Sequence, residues 1–148
     1  MNRLYPEQPL IGIGAVIICN GKILLEKRKG EPGRGKWAIP GGLVELGESA
    51  EQAVIREVKE ETNLKVEQPK LIDVVNNITL DENDKIKYHF VIVDYFVKLT
   101  GGKLEAADDA AELRWVGFDE VESYDLTRSF RDFFQRNRQM LEKFNSCP

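Results

Sequence analysis

The pattern of apolar and polar residues along the chain predicts a sheet of several strands and two helices. The strand candidates are rich in β-branched and aromatic residues. They lie within residues 11–18, 22–28, 37–40, 65–80, 86–99 and 113–116. Asn20-Gly21 predicts a hairpin turn between the first two strands, and the polar residues 81–84 predict the turn that joins the two longest ones.

Helical spacing occurs in two places. Ser49, with Gln52 three residues later, predicts a capping box, and the apolar stripe of this helix runs through Ala50, Ala53, Val54 and Val58. Thr127 predicts the start of the second helix, whose apolar stripe comprises Phe130, Phe133, Phe134, Leu141 and Phe144. Strands on both sides of the first helix, followed by the second helix, predict an α/β fold with the sheet between helices.

The first helix also carries a cluster of acidic residues. Glu57, Glu60 and Glu61 lie at positions i, i+3 and i+4, which places their carboxylates on one helical face. Such like charges repel, and Arg56, which reaches Glu60 one turn away, cannot neutralise all of them. A hard divalent cation such as Mg²⁺ or Mn²⁺ would supply the missing charge, because hard cations prefer oxygen ligands.

A solvated acidic face is the alternative explanation of this cluster. The Gly41-Gly42 pair shortly before the helix favours a metal site, because a backbone without Cβ atoms lets carbonyl oxygens approach an ion. The glycines and the acidic residues also stand at a recognisable spacing. The positions that define it are Gly42, Glu48, Arg56, Glu57, Val58, Glu60, Glu61 and Leu64.

With this spacing, residues 42–64 (GLVELGESAEQAVIREVKEETNL) resemble the Nudix box, the signature of hydrolases that cleave nucleoside diphosphates linked to another moiety. One position departs from the family pattern, because Asn63 stands where a glycine is usual. Asparagine is the next-best residue for a left-handed helix C-cap, so we expect the geometry of the box to be preserved.

The resemblance implies an α/β/α sandwich with a mixed sheet, a catalytic loop-helix-loop segment and Mg²⁺ or Mn²⁺ as cofactor. It implies that the metal ligands are Gly42 (through its carbonyl), Glu48, Glu57, Glu60 and Glu61. Glu57 and Glu61 are the principal ligands in this assignment. Arg56 orients the carboxylates, and together with Glu57 and Glu60 it belongs to the catalytic group.

The family commonly takes a general base or a further ligand from an acidic residue in a later loop. The candidates here are Asp108, Asp109 and Glu112, which lie shortly before Trp115. Spacing leaves the choice among them open, and a solvated loop is the alternative explanation for all of them. His89, the single histidine of the chain, is expected to be a structural strand residue.

Substrate contacts are predicted in a basic loop and on aromatic residues. Arg28, Arg34 and Lys36 would contact phosphate groups, unless the loop is simply a solvated surface. Candidates for a nucleobase pocket are Tyr5, Tyr88 and Phe90, for which ordinary packing is the alternative.

The substrate prediction also rests on resemblance. GKWAIPGGLVELGES, YHFVIVDYF and DDAAELRWV are similar to the small ADP-ribose pyrophosphatase-like branch, which implies cleavage of ADP-ribose to AMP and ribose 5-phosphate. A nucleoside triphosphate pyrophosphohydrolase of the MutT kind and a dinucleoside polyphosphate hydrolase would carry the same box. A nucleotide sensor without catalysis would keep the fold, but its box would have lost carboxylates that are present here. A purely structural acidic helix is disfavoured by the glycine pair.

Length and composition fit one domain that spans residues 1–148. The net charge of −4 argues against a nonspecific nucleic-acid binder. No apolar run is long enough to cross a membrane, and a homodimer is one assembly that the sequence allows. Cys19 and Cys147 suggest neither a metal site nor a disulfide framework, so a reducing cytoplasm is the expected location.

Overall fold

The computed structural model describes residues 3–106 and 110–148, which form a mixed α/β structure. Its strands are β1 (Leu10–Val16), β2 (Ile18–Cys19), β3 (Lys22–Arg28), β4 (Trp37–Ala38), β5 (Gly41–Leu43), β6 (Leu64–Leu80), β7 (Ile86–Gly102) and β8 (Ala110–Gly117). Its helices are α1 (Ala50–Thr62), a short 3₁₀ turn (Val121–Ser123) and α2 (Arg128–Glu142). In the described part of the chain, neither α-helix is long and apolar enough to cross a membrane.

The strands of the described residues form two four-stranded sheets. The first has the order β5-β1-β7-β6, in which β1 runs parallel to β7 and the other pairs are antiparallel. The second has the order β2-β3-β4, with β8 also paired to β3. The predicted α/β fold with a mixed sheet is therefore confirmed.

Two apolar clusters hold the layers together. Under α1, the helix residues Ala53, Val54 and Val58 pack with Ile13 and Tyr95 of the first sheet. The aromatic residues of α2 form the larger cluster with strand residues that include Val16, Ile23, Leu25, Phe96 and Val116. Because side chains alternate along a strand, successive residues of β1 and β7 enter opposite clusters, and the sheets lie between the two helices.

The apolar run at residues 11–18 is not one strand, as its composition suggests. It divides at Ile17, so that β1 belongs to the first sheet and β2 to the second. The backbone N–H of Leu24 donates to the carbonyl of Ile17 at 3.0 Å, which ties the break to β3. The glycine pair Gly41-Gly42 belongs to β5 and pairs with β1.

The cysteines form a disulfide between Cys19 and Cys147, so the expectation that the chain has no disulfide framework is wrong. Their sequence separation of 128 hides this pairing from a reading of spacing. The tertiary structure brings them together because the C-terminal segment lies beside β2, where the Ile18 N–H donates to the Ser146 hydroxyl at 3.0 Å. The cysteine pattern therefore gives no support for a reducing compartment.

Candidate active site

Helix α1 begins and ends where local chemistry requires. The Ser49 hydroxyl accepts from the Gln52 N–H at 3.1 Å, and the Gln52 side chain accepts from the Ser49 N–H at 2.9 Å. At the other end, Asn63 adopts the left-handed conformation with φ of 63°, and its N–H donates to the Lys59 carbonyl. The predicted capping box and C-cap are both confirmed, and they fix the register of the acidic residues between them.

Gly42 and Glu57 lie in direct contact. A Cβ atom on Gly42 would overlap the carboxylate of Glu57, so this carboxylate occupies space that only glycine leaves open. Gly41 has a similar role toward β1, because a Cβ there would overlap the Ile13 carbonyl. The glycine pair thus lets helix α1 place a carboxylate against the strand backbone.

Arg56 connects the acidic residues of the box. Its Nε and one terminal nitrogen donate to Glu48 at 2.7 and 2.9 Å, and its other terminal nitrogen donates to Glu57 at 2.8 Å and to Glu60 at 3.1 Å. The Leu43 carbonyl accepts a further bond at 3.0 Å. The hydrogen bond from Arg56 lowers the pKa of Glu48, and the same bond, with that to Glu57, raises the pKa of Arg56. One guanidinium thereby holds three carboxylates in fixed positions.

Glu60 and Glu61 differ in environment although both lie on the predicted acidic face. The Glu60 side chain is 57% exposed, whereas Glu61 is 7% exposed and faces Glu26 of β3. Burial raises the pKa of Glu61, and contact with Glu26 and Glu57 raises it further. The Glu61 Oε2 atom has no hydrogen-bond partner within the described residues. A buried carboxylate in this state requires a proton or a cation.

The donor set at this site fits a hard divalent cation. Within residues 3–106 and 110–148, no three acidic, histidine or cysteine side chains already converge on one point, because Arg56 engages Glu48, Glu57 and Glu60 while Glu61 turns inward. However, all the side chains are carboxylates, their number exceeds the positive charge of Arg56, and Glu61 retains a buried oxygen without a partner. Oxygen donors with excess negative charge are the ligands that Mg²⁺ and Mn²⁺ prefer.

A cleft of about 380 Å³ opens beside the glycine pair. It lies between the first sheet and the start of α2, and Gly41, Gly42 and Leu43 form one side of it. Its volume falls within the usual range for small-molecule sites. Its lining combines apolar side chains with basic ones, which suits a ring and phosphate groups.

The structure brings some of the predicted substrate residues to this cleft and leaves others outside it. Arg28, Lys36 and Phe90 line the cleft, whereas Arg34 and His89 do not. A second, more open cleft of about 550 Å³ lies next to it. Tyr5 and Tyr88 border that second cleft, and the Tyr5 hydroxyl donates to Asp81 at 2.7 Å.

Of the three acidic candidates before Trp115, only one lies within the described residues. Asp108 and Asp109 fall outside them. Glu112 lies on β8 opposite Lys27 of β3, and its carboxylate forms an ion pair with Arg114. Glu112 therefore belongs to a strand, not to a loop.

Two buried acidic residues escaped the sequence-based assignment. Glu26, which is 6% exposed, lies against Glu61, and Asp94, which is 3% exposed, lines the main cleft. The sequence contained a signal for both residues, because a charged side chain within an apolar strand is rarely buried unless it is paired. Their partners come from other strands, so the sequence alone did not reveal what they contact.

The chain belongs to the Nudix family, because the family model described as the NUDIX domain matches residues 9–143. This confirms the resemblance and the activity class of a Nudix pyrophosphohydrolase, and enzymes of this family generally use divalent metal ions.

Two curated proteins and one solved structure show the range of similarity. An ADP-ribose pyrophosphatase of Methanocaldococcus jannaschii is 34% identical over 135 residues, which cover 90% of this chain and 77% of that protein. A putative 8-oxo-dGTP diphosphatase of Bacillus subtilis is 36% identical over 104 residues, covering 68% of this chain and 62% of that protein. The crystal structure of a MutT NUDIX hydrolase from Burkholderia pseudomallei superposes with a TM-score of 0.74 at 34% identity, covering 87% of this chain and 98% of that one.

Proposed function

We propose that this enzyme hydrolyses the pyrophosphate bond of ADP-ribose and releases AMP and ribose 5-phosphate, with Mg²⁺ or Mn²⁺ as cofactor. The observation that carries the proposal is the contact between the Glu57 carboxylate and Gly42. Gly42 also lines a cleft that is large enough for a nucleotide. In this arrangement, the carboxylates that bind the metal and the region that binds phosphate would both lie beside β5. The similarity to the ADP-ribose pyrophosphatase supports the choice of substrate.

In this proposal, the residues of α1 hold the cation and keep one another in place. Glu57 and Glu61 are the principal ligands, supplemented by Glu60, Glu48 and the Gly42 carbonyl. Arg56 positions the carboxylates of Glu48 and Glu57 through the bonds described above. A divalent cation bound there would neutralise phosphoryl oxygens and lower the pKa of a coordinated water.

Basic residues at the cleft would bind the two phosphates. Arg28, the last residue of β3, and Lys36, in the loop that follows, both line it, and Arg128 lines it from the first turn of α2. The Arg28 Nε donates to the Pro32 carbonyl at 2.8 Å, which fixes the direction of its side chain. Held in this way, the pyrophosphate would present one phosphorus to the water, and the bond from that phosphorus to the bridging oxygen would break.

The attacking water must lose a proton, and we propose that an acidic residue within positions 108–112 accepts it. The candidates for this general base are Asp109 and Glu112, together with Asp108. Of these, Glu112 lies on β8 and forms an ion pair with Arg114, which fixes the direction of its carboxylate.

A nucleoside triphosphate is the second candidate substrate, because the putative 8-oxo-dGTP diphosphatase is similar over 68% of this chain. The glutamates and the basic loop would bind either kind of phosphate chain. The two candidate substrates differ in the group that is attached beyond the diphosphate.

A substrate panel tests the proposal. At a fixed concentration of Mg²⁺, ADP-ribose, other nucleotide sugars, NADH, dinucleoside polyphosphates and triphosphates are ranked by kcat/KM. We expect ADP-ribose to rank first and to yield AMP. A triphosphate that exceeds it by about tenfold, equivalent to roughly 1.4 kcal/mol of transition-state binding, would overturn the substrate while leaving the site intact.

A further inference from the structure

Asp94 is a buried carboxyl group on the floor of the cleft that the reaction scheme leaves without a role. It lies on β7, and the residues that precede it on the same face, Phe90 and Ile92, are apolar and also line the cleft. Among the described residues, no hydrogen bond reaches its carboxyl group. Because the carboxyl group borders the cleft, a ligand bound there can pair with it.

Strand β1 leaves room for this carboxyl group. Gly14 is the register partner of Asp94 in the parallel pair of β1 and β7. A Cβ atom on Gly14 would overlap the Asp94 Oδ1 atom and the Ile39 side chain. Glycine inside a strand weakens the strand and often marks a close approach, and here it lets the carboxyl group lie at the floor of the cleft.

The surroundings of Asp94 favour a carboxyl group that carries a proton. Burial, assisted by the charge of Asp73 on β6, raises its pKa to about 8, and Arg136 on α2 opposes this effect. Arg136 is itself paired with Asp73, through an Nε bond of 2.8 Å. A protonated carboxyl group offers one O–H donor beside one acceptor oxygen.

We propose that Asp94 recognises the adenine ring of the substrate by pairing with the edge that carries the exocyclic amino group beside a ring nitrogen. The amino group donates to the acceptor oxygen, and the ring nitrogen accepts from the O–H. The apolar side chains of Ile92 and Phe90 would contact the ring, while the basic residues Arg28 and Lys36 bind the phosphates at the other end of the nucleotide. This assignment rests on the proposed function, because it requires an adenine nucleotide in the cleft.

An ionised Asp94 would have a different preference. Two acceptor oxygens cannot satisfy the ring nitrogen of adenine, but they match the two adjacent N–H donors of guanine. The comparison of adenine with guanine nucleotides therefore reports which form of the carboxyl group lies in the cleft.

Binding of the product measures the contact without catalysis. The affinities of AMP, GMP and ribose 5-phosphate are determined by calorimetry for the wild type, Asp94→Asn and Asp94→Ala. The Asp94→Asn change keeps the pairing in this scheme, because an amide also offers one donor and one acceptor. We expect Asp94→Asn to keep the AMP affinity and Asp94→Ala to lose about tenfold or more, with ribose 5-phosphate unchanged. Asp132→Asn, the same change on the exposed surface of α2, is the matched control.

The dependence of AMP affinity on pH provides a second test. The basic residues that line the same cleft are Arg3, Arg28, Lys36 and Arg128. AMP affinity of the wild type should fall as the pH rises through about 8, whereas that of Asp94→Asn should stay level. In turnover, Asp94→Ala should raise KM for ADP-ribose far more than it lowers kcat, because the proposed contact of Asp94 is with the ring and not with the reacting phosphorus.

The outcomes separate this inference from the proposed function. If the wild type does not hydrolyse ADP-ribose, the proposed function fails whatever Asp94 binds. If the wild type hydrolyses ADP-ribose and Asp94→Ala keeps its preference for AMP over ribose 5-phosphate, the inference fails alone. Tighter binding of GMP than of AMP, lost in Asp94→Asn, would also overturn the assignment to adenine.

Discussion

Single residues determine the charge balance of the active site. Arg56 is bound by Glu48, Glu57 and Glu60 at once, and Glu45 lies 3.7 Å from it. Its one positive charge cannot balance this group, and no ion pair joins it to the buried Glu61 within the described residues. The remaining negative charge is what a divalent cation would offset, so in the proposed site Arg56 would position the ligands without replacing the metal.

Asp94 should lower the stability of the protein at neutral pH. Its folded-state pKa of about 8 lies above the ordinary value, so the unfolded state ionises first and stability falls as the pH rises from about 4 to about 8. The substitution Asp94→Asn removes this dependence of stability on pH. We expect urea denaturation to show similar unfolding free energies for wild type and variant near pH 4, and an advantage of roughly 4 kcal/mol for the variant at pH 7.

The difference between variant and wild type isolates this group, because every other titrating residue is shared. Asp132→Asn should show no such dependence on pH. A difference between Asp94→Asn and wild type that does not change with pH would mean that Asp94 does not titrate in this range.

At the scale of elements, helix α1 is terminated by an unusual residue for its family. Asn63 has φ of 63°, its side-chain nitrogen donates to the Lys103 carbonyl at 3.0 Å, and its side-chain oxygen accepts from Lys59 at 2.8 Å. In Asn63→Gly, the gain in left-handed freedom offsets the loss of two exposed hydrogen bonds, so we expect a change within about 0.5 kcal/mol. Asn63→Val should cost about 1–2 kcal/mol, because a β-branched residue is strained there.

Thermal or urea unfolding of the two variants measures this difference. If valine were tolerated and glycine were clearly destabilising, the side-chain bonds of Asn63 would matter more than its backbone conformation.

The parts of α1 that the sequence predicted correctly are those decided by neighbouring residues. Ser49 with Gln52 and the cap at Asn63 are local, as is the contact of Arg56 with Glu60 one turn away. The contacts of Glu61 with Glu26 and of Asp94 with Gly14 join elements distant in sequence, and no local pattern encodes them. The break of the first strand at Ile17 has the same origin, because it depends on pairing with β3.

At the scale of the whole molecule, the disulfide closes most of the chain into one loop. Cys19 and Cys147 are separated by 128 residues, and a cross-link of this span typically contributes about 2–5 kcal/mol by restricting the unfolded chain. Reduction should therefore lower the unfolding free energy by this amount. It should leave kcat/KM unchanged, because neither cysteine lines the cleft.

Urea unfolding with and without a reductant measures the contribution, and Cys147→Ser is the matched control. The variant should unfold like the reduced wild type and should not respond to the reductant. Equal stabilities of oxidised protein, reduced protein and variant would show that the link contributes nothing in solution.

In the proposed function, carboxylates of α1 hold the divalent cation on which hydrolysis of the pyrophosphate depends. Glu57→Gln and Glu61→Gln keep the shape of their side chains and cannot become negatively charged. Both should fold, because an amide oxygen at position 57 can still accept from Arg56 and a neutral side chain suits the buried position 61. Glu51→Gln is the control on the same helix, since its side chain contacts Tyr95 and not Arg56.

The most direct measurement is turnover as a function of added Mg²⁺ or Mn²⁺, with binding of the ion followed by calorimetry, for wild type and these variants. We expect no turnover in excess chelator, recovery when metal is restored, and normal behaviour of Glu51→Gln. Glu57→Gln and Glu61→Gln should bind the ion weakly and lose activity by roughly two orders of magnitude or more. Full turnover in either variant, or in wild type with excess chelator, would contradict the account.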